Sequence, residues 1–327
     1  MGRCLSTFAE IDEDEGYSAR GLARLSDRRA FPTRLEFDRS DVIEIRAQVV
    51  SKMSISGVQE KILLSLHRGK LSPDEEGGTY ILKPVPGLSL PRFQQDVPAN
   101  ENLTMQLADQ LFGIETAANS CIRLADGELA YITRRFDRLR DGRKVAQEDF
   151  CQLMGRSPDK DGPGYKYDGS YEGVGQALRN HCSAYAVESE KLFRLILFNY
   201  AVANGDAHLK NFSLRQTATF RDYVLSPAYD LLCTKLHLPA ESRLALDLFA
   251  EEEEPASRST YGFVTGSDFL ELARRFGLIA SRAEAILEDI CCHRDEAQEL
   301  VHRSFLSEEA KVVYSAILAD RLLALRI

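Results

Sequence analysis

The sequence predicts an α+β fold with two lobes, a small β-rich lobe followed by a mainly helical lobe. Short apolar runs separated by turn signals dominate the chain up to about residue 150, and longer stretches with helical periodicity follow. With 327 residues, the chain is long enough to bury a large core and to divide in this way. We therefore expect an N-terminal extension over residues 1–50, the β-rich lobe over residues 51–150 and the helical lobe over residues 151–327.

The first 50 residues combine a polar segment with one regular element. Residues 1–40 are predicted to be irregular, because they are polar and carry an acidic run. Ser40 then precedes apolar residues at helical spacing between Val42 and Val49, which favours a helix with a serine cap. Apolar residues also alternate from Ile43 onwards, so a strand stays open as the alternative.

Four strands and one helix are predicted in the β-rich lobe. Apolar runs at residues 62–66 and 80–83 predict two strands joined by a polar turn. A helix is predicted from Pro98 to just before Gly113, because leucines recur there at every fourth position. The dipeptide Asp126-Gly127 lies between two further apolar runs, and this pattern is a strong signal of a β-hairpin.

The second part of the chain carries the helical signals. Residues 190–203 are apolar on nearly every side, which predicts a buried central helix. Residues 161–175, rich in glycine and tyrosine, are predicted to form a flexible surface loop, and the glutamates at 251–254 an exposed one. Amphipathic stretches predict further helices at residues 267–277, 281–300 and 307–325.

Composition limits the class of protein. The formal net charge of -9 argues against a general nucleic-acid binder, which would carry a basic surplus. The seven cysteines are odd in number and form no CxxC pair, so neither a disulfide framework nor a zinc ribbon is indicated. The N-terminus lacks a secretory profile, and no apolar run reaches the roughly 18 residues of a membrane span. We therefore expect a soluble cytoplasmic protein that does not act at a membrane.

The densest polar cluster follows directly after the predicted buried helix, at residues 204–211. Charged groups beside a core must be paired, metal-bound or functional. In phosphoryl transfer one carboxylate accepts the proton of the acceptor hydroxyl, while an amide oxygen and a second carboxylate hold Mg²⁺. Asp206 and Asn211 have the spacing of the kinase catalytic loop, and Asp230 supplies the second carboxylate. Lys83, at the end of a predicted strand, is the candidate for the α- and β-phosphates of ATP.

Each of these residues also has a purely structural interpretation. Asp206 and Asn211 could be a capping pair on a surface turn, and Asp230 could cap a helix. Lys83 could be a solvated lysine at a strand end. The remaining alternatives are a first-turn helix acid for Glu101, a structural histidine for His208, and turn residues for Ser54 and Ser56.

The usual kinase signatures HRD, DFG and GxGxxG are absent, but the chain carries an ordered set of other motifs. These are Ser54 through Lys61, Tyr80 through Pro84, Asn100-Glu101-Asn102, Arg135 through Arg138, Gln147 through Gln152, Asn204 through Asn211, and Tyr229-Asp230-Leu231. The set resembles the HipA family of bacterial serine/threonine kinase toxins. The resemblance spans about residues 50 to 235. Each motif is modestly specific alone, and their order makes the set specific.

The resemblance implies a bilobal protein-kinase-like fold that uses ATP and Mg²⁺. It also implies a role for each matching residue. These roles are the catalytic base for Asp206, Mg²⁺ ligands for Asn211 and Asp230, a phosphate ligand for Lys83 with Glu101 as its partner, positions beside the phosphates for His208 and Lys210, a hinge that meets adenine for Glu148 to Phe150, and a loop over the phosphates for Ser56 and Gly57. In the family a serine of that loop is autophosphorylated, and Ser54 and Ser56 are the two candidates.

Only about 50 residues precede the serine-rich loop, and this shortness resembles the HipT branch, in which a separate small protein, HipS, replaces a missing subdomain. The resemblance therefore implies a HipS-like partner and a HipB-like partner, with DNA contacted only through the latter. It also implies a protein substrate, which in relatives is an aminoacyl-tRNA synthetase. The segment around Cys4 resembles a degenerate cysteine motif of relatives, and no metal is expected there.

Three classes of function remain open on the sequence. The first is a serine/threonine protein kinase toxin. The second is a small-molecule kinase that uses the same residues, since no activation segment is recognisable. The third is an inactive regulatory module of a DNA-bound complex, against which the joint presence of Asp206, Asn211, Asp230 and Lys83 counts.

Overall fold

The computed structural model describes residues 2–50, 61–139, 143–217, 219, 221–250 and 253–327, without the side chains of residues 46–50. The predicted phosphate loop with Ser54, Ser56 and Gly57 therefore lies outside the described residues. The described strands are β1 Gly2–Cys4, β2 Glu10–Ile11, β3 Glu15–Gly16, β4 Ile62–His67, β5 Lys70–Pro73, β6 Tyr80–Lys83, β7 Asn119–Arg123, β8 Leu129–Arg134, β9 Gln147–Asp149, β10 Ser213–Gln216 and β11 Tyr223–Leu225.

Helices make up most of the second half. Three further segments, Gln94–Asp96, Tyr165–Tyr167 and Leu209–Asn211, are single 3-10 turns. The described α-helices are α1 Ala19–Ser26, α2 Arg39–Val50, α3 Val97–Gln110, α4 Phe150–Leu153, α5 Pro158–Asp161, α6 Tyr171–His181, α7 Tyr185–Ala201, α8 Thr234–His237, α9 Arg258–Tyr261, α10 Gly266–Phe276, α11 Ala280–Cys292, α12 Arg294–Arg303 and α13 Glu308–Ala324.

A five-stranded antiparallel sheet of order β5-β4-β6-β8-β7 forms the first lobe. The four predicted strands and the hairpin are confirmed, with Gly127 in the left-handed region (φ 93°) that its turn requires. The polar turn between the first two predicted strands also contains β5, which the prediction missed because only Leu71 is buried there. Strand β6 lies in the centre of the sheet and ends at Lys83.

The first 50 residues are more regular than predicted. The helix favoured after Ser40 is confirmed as α2, but the expectation that residues 1–40 are irregular was wrong. This segment forms β1, β2, β3 and α1, and it buries Leu25 and Phe31 in the same hydrophobic cluster as the strands β4, β6 and β8. The segment thus folds because its few apolar side chains complete the core beneath the sheet.

The second lobe is built around α7, whose buried residues include Leu192 and Phe198. The predicted central helix is therefore confirmed, although it begins earlier, at Tyr185. Helix α7 packs against α6, α10, α11 and α13. The predicted helical stretch 281–300 is two helices, α11 and α12, which are divided at His293.

Residues 161–175 do not form a flexible surface loop, and that prediction was wrong. The segment contains the 3-10 turn Tyr165–Tyr167, and α6 begins at Tyr171. Arg156 ties the segment at two points, with Nη1 3.0 Å from Asp161 Oδ1 and 2.6 Å from Asp168 Oδ2. These ion pairs, together with the serine cap of α6, order a segment whose glycines suggested flexibility.

Strands β9, β10 and β11 form a small antiparallel sheet in the order β11-β10-β9. The chain leaves α7 at Ala201, passes through the polar cluster at residues 204–211, and enters this sheet at Ser213. Strand β11 then leads to Asp230. The small sheet therefore holds the two segments that carry the predicted acids side by side. Within the described part of the chain, no helix is both long and apolar enough to span a membrane.

Candidate active site

Lys83 connects strand β6, helix α3 and the segment that carries Asp230. It lies at the end of β6 and is only 7% exposed. Its Nζ donates to Glu101 Oε1 of α3 over 2.6 Å, and it also donates to the carboxylate of Asp230. The ring of Tyr131 lies beneath the ammonium, 5.5 Å from Nζ to the ring centroid. The lysine, its predicted partner Glu101 and the predicted metal ligand Asp230 thus meet.

The charges of these three groups are strongly coupled. Burial favours the neutral form of Lys83, but the charges of Asp230 and Glu101 outweigh it and raise the pKa of the lysine. Loss of solvent also opposes ionisation of Asp230, yet Lys83 holds the pKa of that carboxyl below its usual value. Glu101 differs, because burial raises its pKa to about 7 despite the neighbouring lysine. Near neutral pH Lys83 is therefore protonated, Asp230 is ionised, and Glu101 titrates.

Asp230 is presented by an unusual backbone conformation. Its φ of 54° lies in the left-handed region, which costs a non-glycine residue about 1 kcal/mol or more. The side chain keeps 47% of its surface exposed, while neighbouring Leu231 is buried. The conformation is held in part by Asn204, whose Nδ2 lies 3.4 Å from the Asp230 carbonyl oxygen. The strained backbone conformation orients the Asp230 carboxylate towards Lys83.

The polar cluster after α7 is a rigid loop. Ala203 begins it with a φ of 53°. Asn204 is buried and donates to Asn199 Oδ1 over 2.8 Å, and its own Oδ1 accepts from the Asp206 amide over 3.3 Å. The Gly205 amide donates to Thr234 Oγ1 over 2.7 Å. The loop's backbone is therefore held by hydrogen bonds, which fix the position of the Asp206 main chain.

The Asp206 carboxylate is partly exposed to solvent and partly covered by His208 and Tyr167. Its side chain is 46% exposed, and Oδ1 lies 3.9 Å from His208 Nε2. Burial lowers the pKa of His208 although Asp206 opposes this, so the imidazole favours its neutral form near neutral pH. The charges of both Asp206 and Asp230 act on His208, which places the two carboxylates near one imidazole. The hydroxyl of Tyr167 also contacts Asp206 and donates a hydrogen bond to Oδ1.

Two buried polar atoms beside these acids have no hydrogen-bond partner among the described residues. They are Asn211 Oδ1 and His208 Nδ1. An orphaned buried amide oxygen is costly, and a cation would satisfy it. Oxygen atoms of amides and carboxylates are the ligands that Mg²⁺ prefers. Asn211 and Asp230 therefore fit a magnesium ion chemically, and the Asn211 amide donates to the His208 carbonyl over 2.9 Å, which fixes the Asn211 backbone beside the acids.

The remaining predicted ATP contacts among the described residues are Glu148, Phe150 and Lys210. Glu148 is exposed on β9, opposite Leu214 in the small sheet. The Phe150 side chain is fully buried, and its amide donates to the Phe212 carbonyl over 3.1 Å, so that amide is already used within the chain. Lys210 is exposed, and its Nζ lies 3.3 Å from the Tyr165 hydroxyl. An adenine contact by this segment stays a prediction.

Several residues of the site were not found from the sequence. Thr234 Oγ1 accepts a hydrogen bond from the Gly205 amide and donates one to Glu241, and burial together with the charge of Asp206 raises the pKa of Glu241. Tyr167 reaches Asp206 from a segment that was predicted to be a loop. The contacts of Tyr167 and Thr234 join residues distant in sequence, so local patterns carry no signal for them. Repeated tyrosines near Tyr167 were the only visible hint.

A β-rich lobe that carries Lys83 and Glu101 and a helical lobe that carries Asp206, Asn211 and Asp230 define the class of protein: this is a kinase-like, two-lobed fold. The chain belongs to the family of the HipA-like C-terminal domain, whose model matches residues 53–297.

Related sequences agree with this assignment. A Haemophilus influenzae protein whose name marks it as an inferred kinase is 28% identical over 331 residues, with 94% of this chain and 93% of that protein covered. The serine/threonine-protein kinase toxin HipA of Shewanella oneidensis is 28% identical over 278 residues, with 77% of this chain and 61% of the toxin covered. The chain is thus related to kinases along most of its length.

Solved structures show the same fold at low identity. HipA of Shewanella oneidensis, in a complex with HipB and operator DNA, matches with a TM-score of 0.66 at 21% identity, over 87% of this chain and 71% of HipA. The Helicobacter pylori proinflammatory kinase CtkA matches with a TM-score of 0.52 at 15% identity, over 83% of this chain and 90% of CtkA. The predicted α+β, bilobal kinase-like fold is therefore confirmed.

Proposed function

We propose that the chain is a serine/threonine protein kinase toxin of a toxin–antitoxin system, which transfers the γ-phosphate of ATP to a protein. The observation that carries the proposal is the meeting of Lys83, Glu101 and Asp230 beside a rigid loop that carries Asp206 and Asn211. Serine/threonine specificity and the toxin role are supported by the relationship to the Shewanella oneidensis toxin.

Each residue has one task in the proposed reaction. Lys83 binds the phosphates of ATP, and Glu101 holds the lysine in place. Asn211 and Asp230 hold Mg²⁺, which when bound neutralises charge that develops on the phosphates. Asp206 orients the acceptor hydroxyl and takes its proton. Neutral His208 adds no positive charge that would compete for Asp206.

The substrate class rests on the family. Relatives of the HipA kind make a protein the expected acceptor, and by resemblance an aminoacyl-tRNA synthetase. A small-molecule acceptor is the second candidate. An inactive regulatory role is disfavoured by the buried Asn211 Oδ1, because this atom has no hydrogen-bond partner among the described residues and a metal ion would satisfy it.

Autophosphorylation of Ser54 or Ser56 is part of the proposal. Both serines lie shortly before β4 in the sequence, where a loop over the phosphates is expected. A phosphoserine carries nearly two negative charges, and the phosphates of ATP would repel it. This repulsion would expel the loop and silence the kinase.

A HipB-like protein and a HipS-like protein are the proposed partners, in the cytoplasm. The structural neighbour from Shewanella oneidensis is described as a complex of HipA, HipB and operator DNA, which supports the first partner. The net charge of -9 makes direct DNA binding by this chain unfavourable, so DNA contact is proposed only through HipB.

Labelled ATP separates the candidate functions. Label on Ser54 or Ser56 of the purified chain would support the protein kinase, label only on a metabolite would support the small-molecule kinase, and no label would support the regulatory module. Expression of the chain without partners is expected to inhibit growth, and Asp206→Gln is expected to abolish the inhibition. Equal toxicity of Asp206→Gln would contradict toxicity by phosphoryl transfer at this site.

A further inference from the structure

The hydroxyl of Tyr167 occupies the position that a phosphate acceptor would need. It donates a hydrogen bond to the Asp206 carboxylate. Its ring lies edge-on to His208, with the centroids 5.2 Å apart. In kinases the acceptor hydroxyl makes this same hydrogen bond to the catalytic aspartate. A phenol of the chain itself thus stands where an acceptor oxygen would stand.

Polar contacts on both sides of Tyr167 help to hold the segment that carries it. Arg156 pairs with Asp161 and Asp168, and Lys210 contacts the hydroxyl of Tyr165. Tyr167 is 42% exposed. Because this half-exposed side chain is not part of the hydrophobic core, the phenol can leave Asp206 without opening that core.

Tyr167 also lines a groove of about 490 Å³, together with residues 242–248 and with residues between 253 and 264. Its lining includes the charged residues Arg243, Asp247 and Arg258. Small-molecule pockets of this size are usually lined by apolar and aromatic side chains. A groove whose exposed lining is mainly polar, and which is lined by the tyrosine that contacts Asp206, suits an extended polypeptide segment better than a small metabolite.

We propose that Tyr167 holds the acceptor position and that a hydroxyl of a substrate polypeptide, entering along this groove, replaces the phenol on Asp206. The inference rests on the proposed function, because it takes Asp206 as the base. In the transfer, the substrate oxygen bonds to the γ-phosphorus and its proton passes to Asp206. The bond between the γ-phosphorus and the β-phosphate oxygen breaks, and ADP is the leaving group. Until a substrate arrives, Tyr167 keeps water away from the base and so limits idle hydrolysis of ATP.

The test is release of ADP from MgATP by the purified chain without any protein acceptor. Tyr167→Phe keeps the ring against His208 and removes only the hydroxyl that blocks Asp206. The expected rise in ADP release is about tenfold, the factor that corresponds to one charge-assisted hydrogen bond. Adding Asp206→Asn to this variant should return the rate to that of Asp206→Asn alone.

Tyr185→Phe is the matched control. Its hydroxyl donates to the Phe276 carbonyl over 2.7 Å, away from the cleft, so its rate should equal that of the wild type. A rate for Tyr167→Phe equal to or below the wild type would overturn the inference, because the phenol would then support the base. If no variant releases ADP and MgATP leaves the melting temperature unchanged, the proposed function fails together with the inference.

Discussion

Lys83 Nζ lies 2.6 Å from Glu101 Oε1 and thereby connects the central strand of the sheet to helix α3. Both residues are buried, at 7% and 2% exposure. A buried pair stabilises a fold weakly, but removal of one partner leaves the other charge buried without compensation. The pair therefore couples the stability of the first lobe to the proposed phosphate site.

Lys83→Met should separate these two roles. The free energy of unfolding is expected to fall by about 3 kcal/mol, because the carboxylates of Asp230 and Glu101 lose the cation that they share. The rise in melting temperature that MgATP causes in the wild type should be lost. Lys70→Met is the control: Lys70 forms an exposed pair with Glu36, and its loss should cost less than about 1 kcal/mol. A full MgATP-induced rise in Lys83→Met would contradict the phosphate contact.

Glu101 should make stability depend on pH. Burial raises its pKa from 4.5 to about 7 in the folded chain. The folded state therefore binds this proton more tightly than the unfolded state, and the stability it contributes is present below pH 4.5 and lost as pH rises to about 7. Urea unfolding at several pH values should show the advantage of the wild type over Glu101→Gln shrinking across this window. A difference that does not change with pH would contradict the shifted pKa.

Asn211→Ala tests the magnesium site. The variant removes the buried Oδ1 that has no partner among the described residues, so the fold should be nearly as stable as the wild type. ATP affinity measured with Mg²⁺ should fall towards the value measured with a chelator. Asn180→Ala, at an exposed position of α6, should leave the effect of Mg²⁺ intact. An undiminished effect of Mg²⁺ in Asn211→Ala would remove Asn211 from the proposed ligand set.

Gly175→Ala tests the packing of the helical lobe. A methyl group at Gly175 would lie 2.3 Å from the Phe276 ring, so α6 and α10 would have to separate. The expected loss is about 1–3 kcal/mol of unfolding free energy. Gly164→Ala is the matched control, since nothing lies within 4 Å of the added methyl and φ there is -85°. Equal stability of the two variants would show that the helices tolerate the extra volume.

The sequence predicted those parts of the fold that depend on local patterns. Central strand β6, helix α3 and the Asp126-Gly127 hairpin each have a period or a turn signal within about a dozen residues, and all three are confirmed. Residues 1–40 were misjudged, because their few apolar side chains are recognisable as core only when the sheet covers them. Residues 161–175 were misjudged for a different reason. An ion pair with Arg156 and the contact between Tyr167 and Asp206 hold this segment in place, and both contacts join it to residues outside the segment.

The site was predictable to the extent that its residues fall in motifs. The resemblance placed Lys83 next to Glu101, and the structure brings these two side chains together with Asp230. The contact between Tyr167 and Asp206 spans 39 residues of sequence and belongs to no motif, so no local pattern announced it. The left-handed conformation of Asp230 was equally hidden, because nothing in the residue type requires it.

Transfer of labelled γ-phosphate by the purified chain is the most direct test of the account. With MgATP, the wild type should acquire phosphate on a serine or threonine. Asp206→Asn should bind MgATP with an unchanged rise in melting temperature but acquire no phosphate, because the acceptor proton has no base. Labelling of Asp206→Asn at the wild-type rate would contradict the assignment of Asp206 and with it the proposed phosphoryl-transfer site.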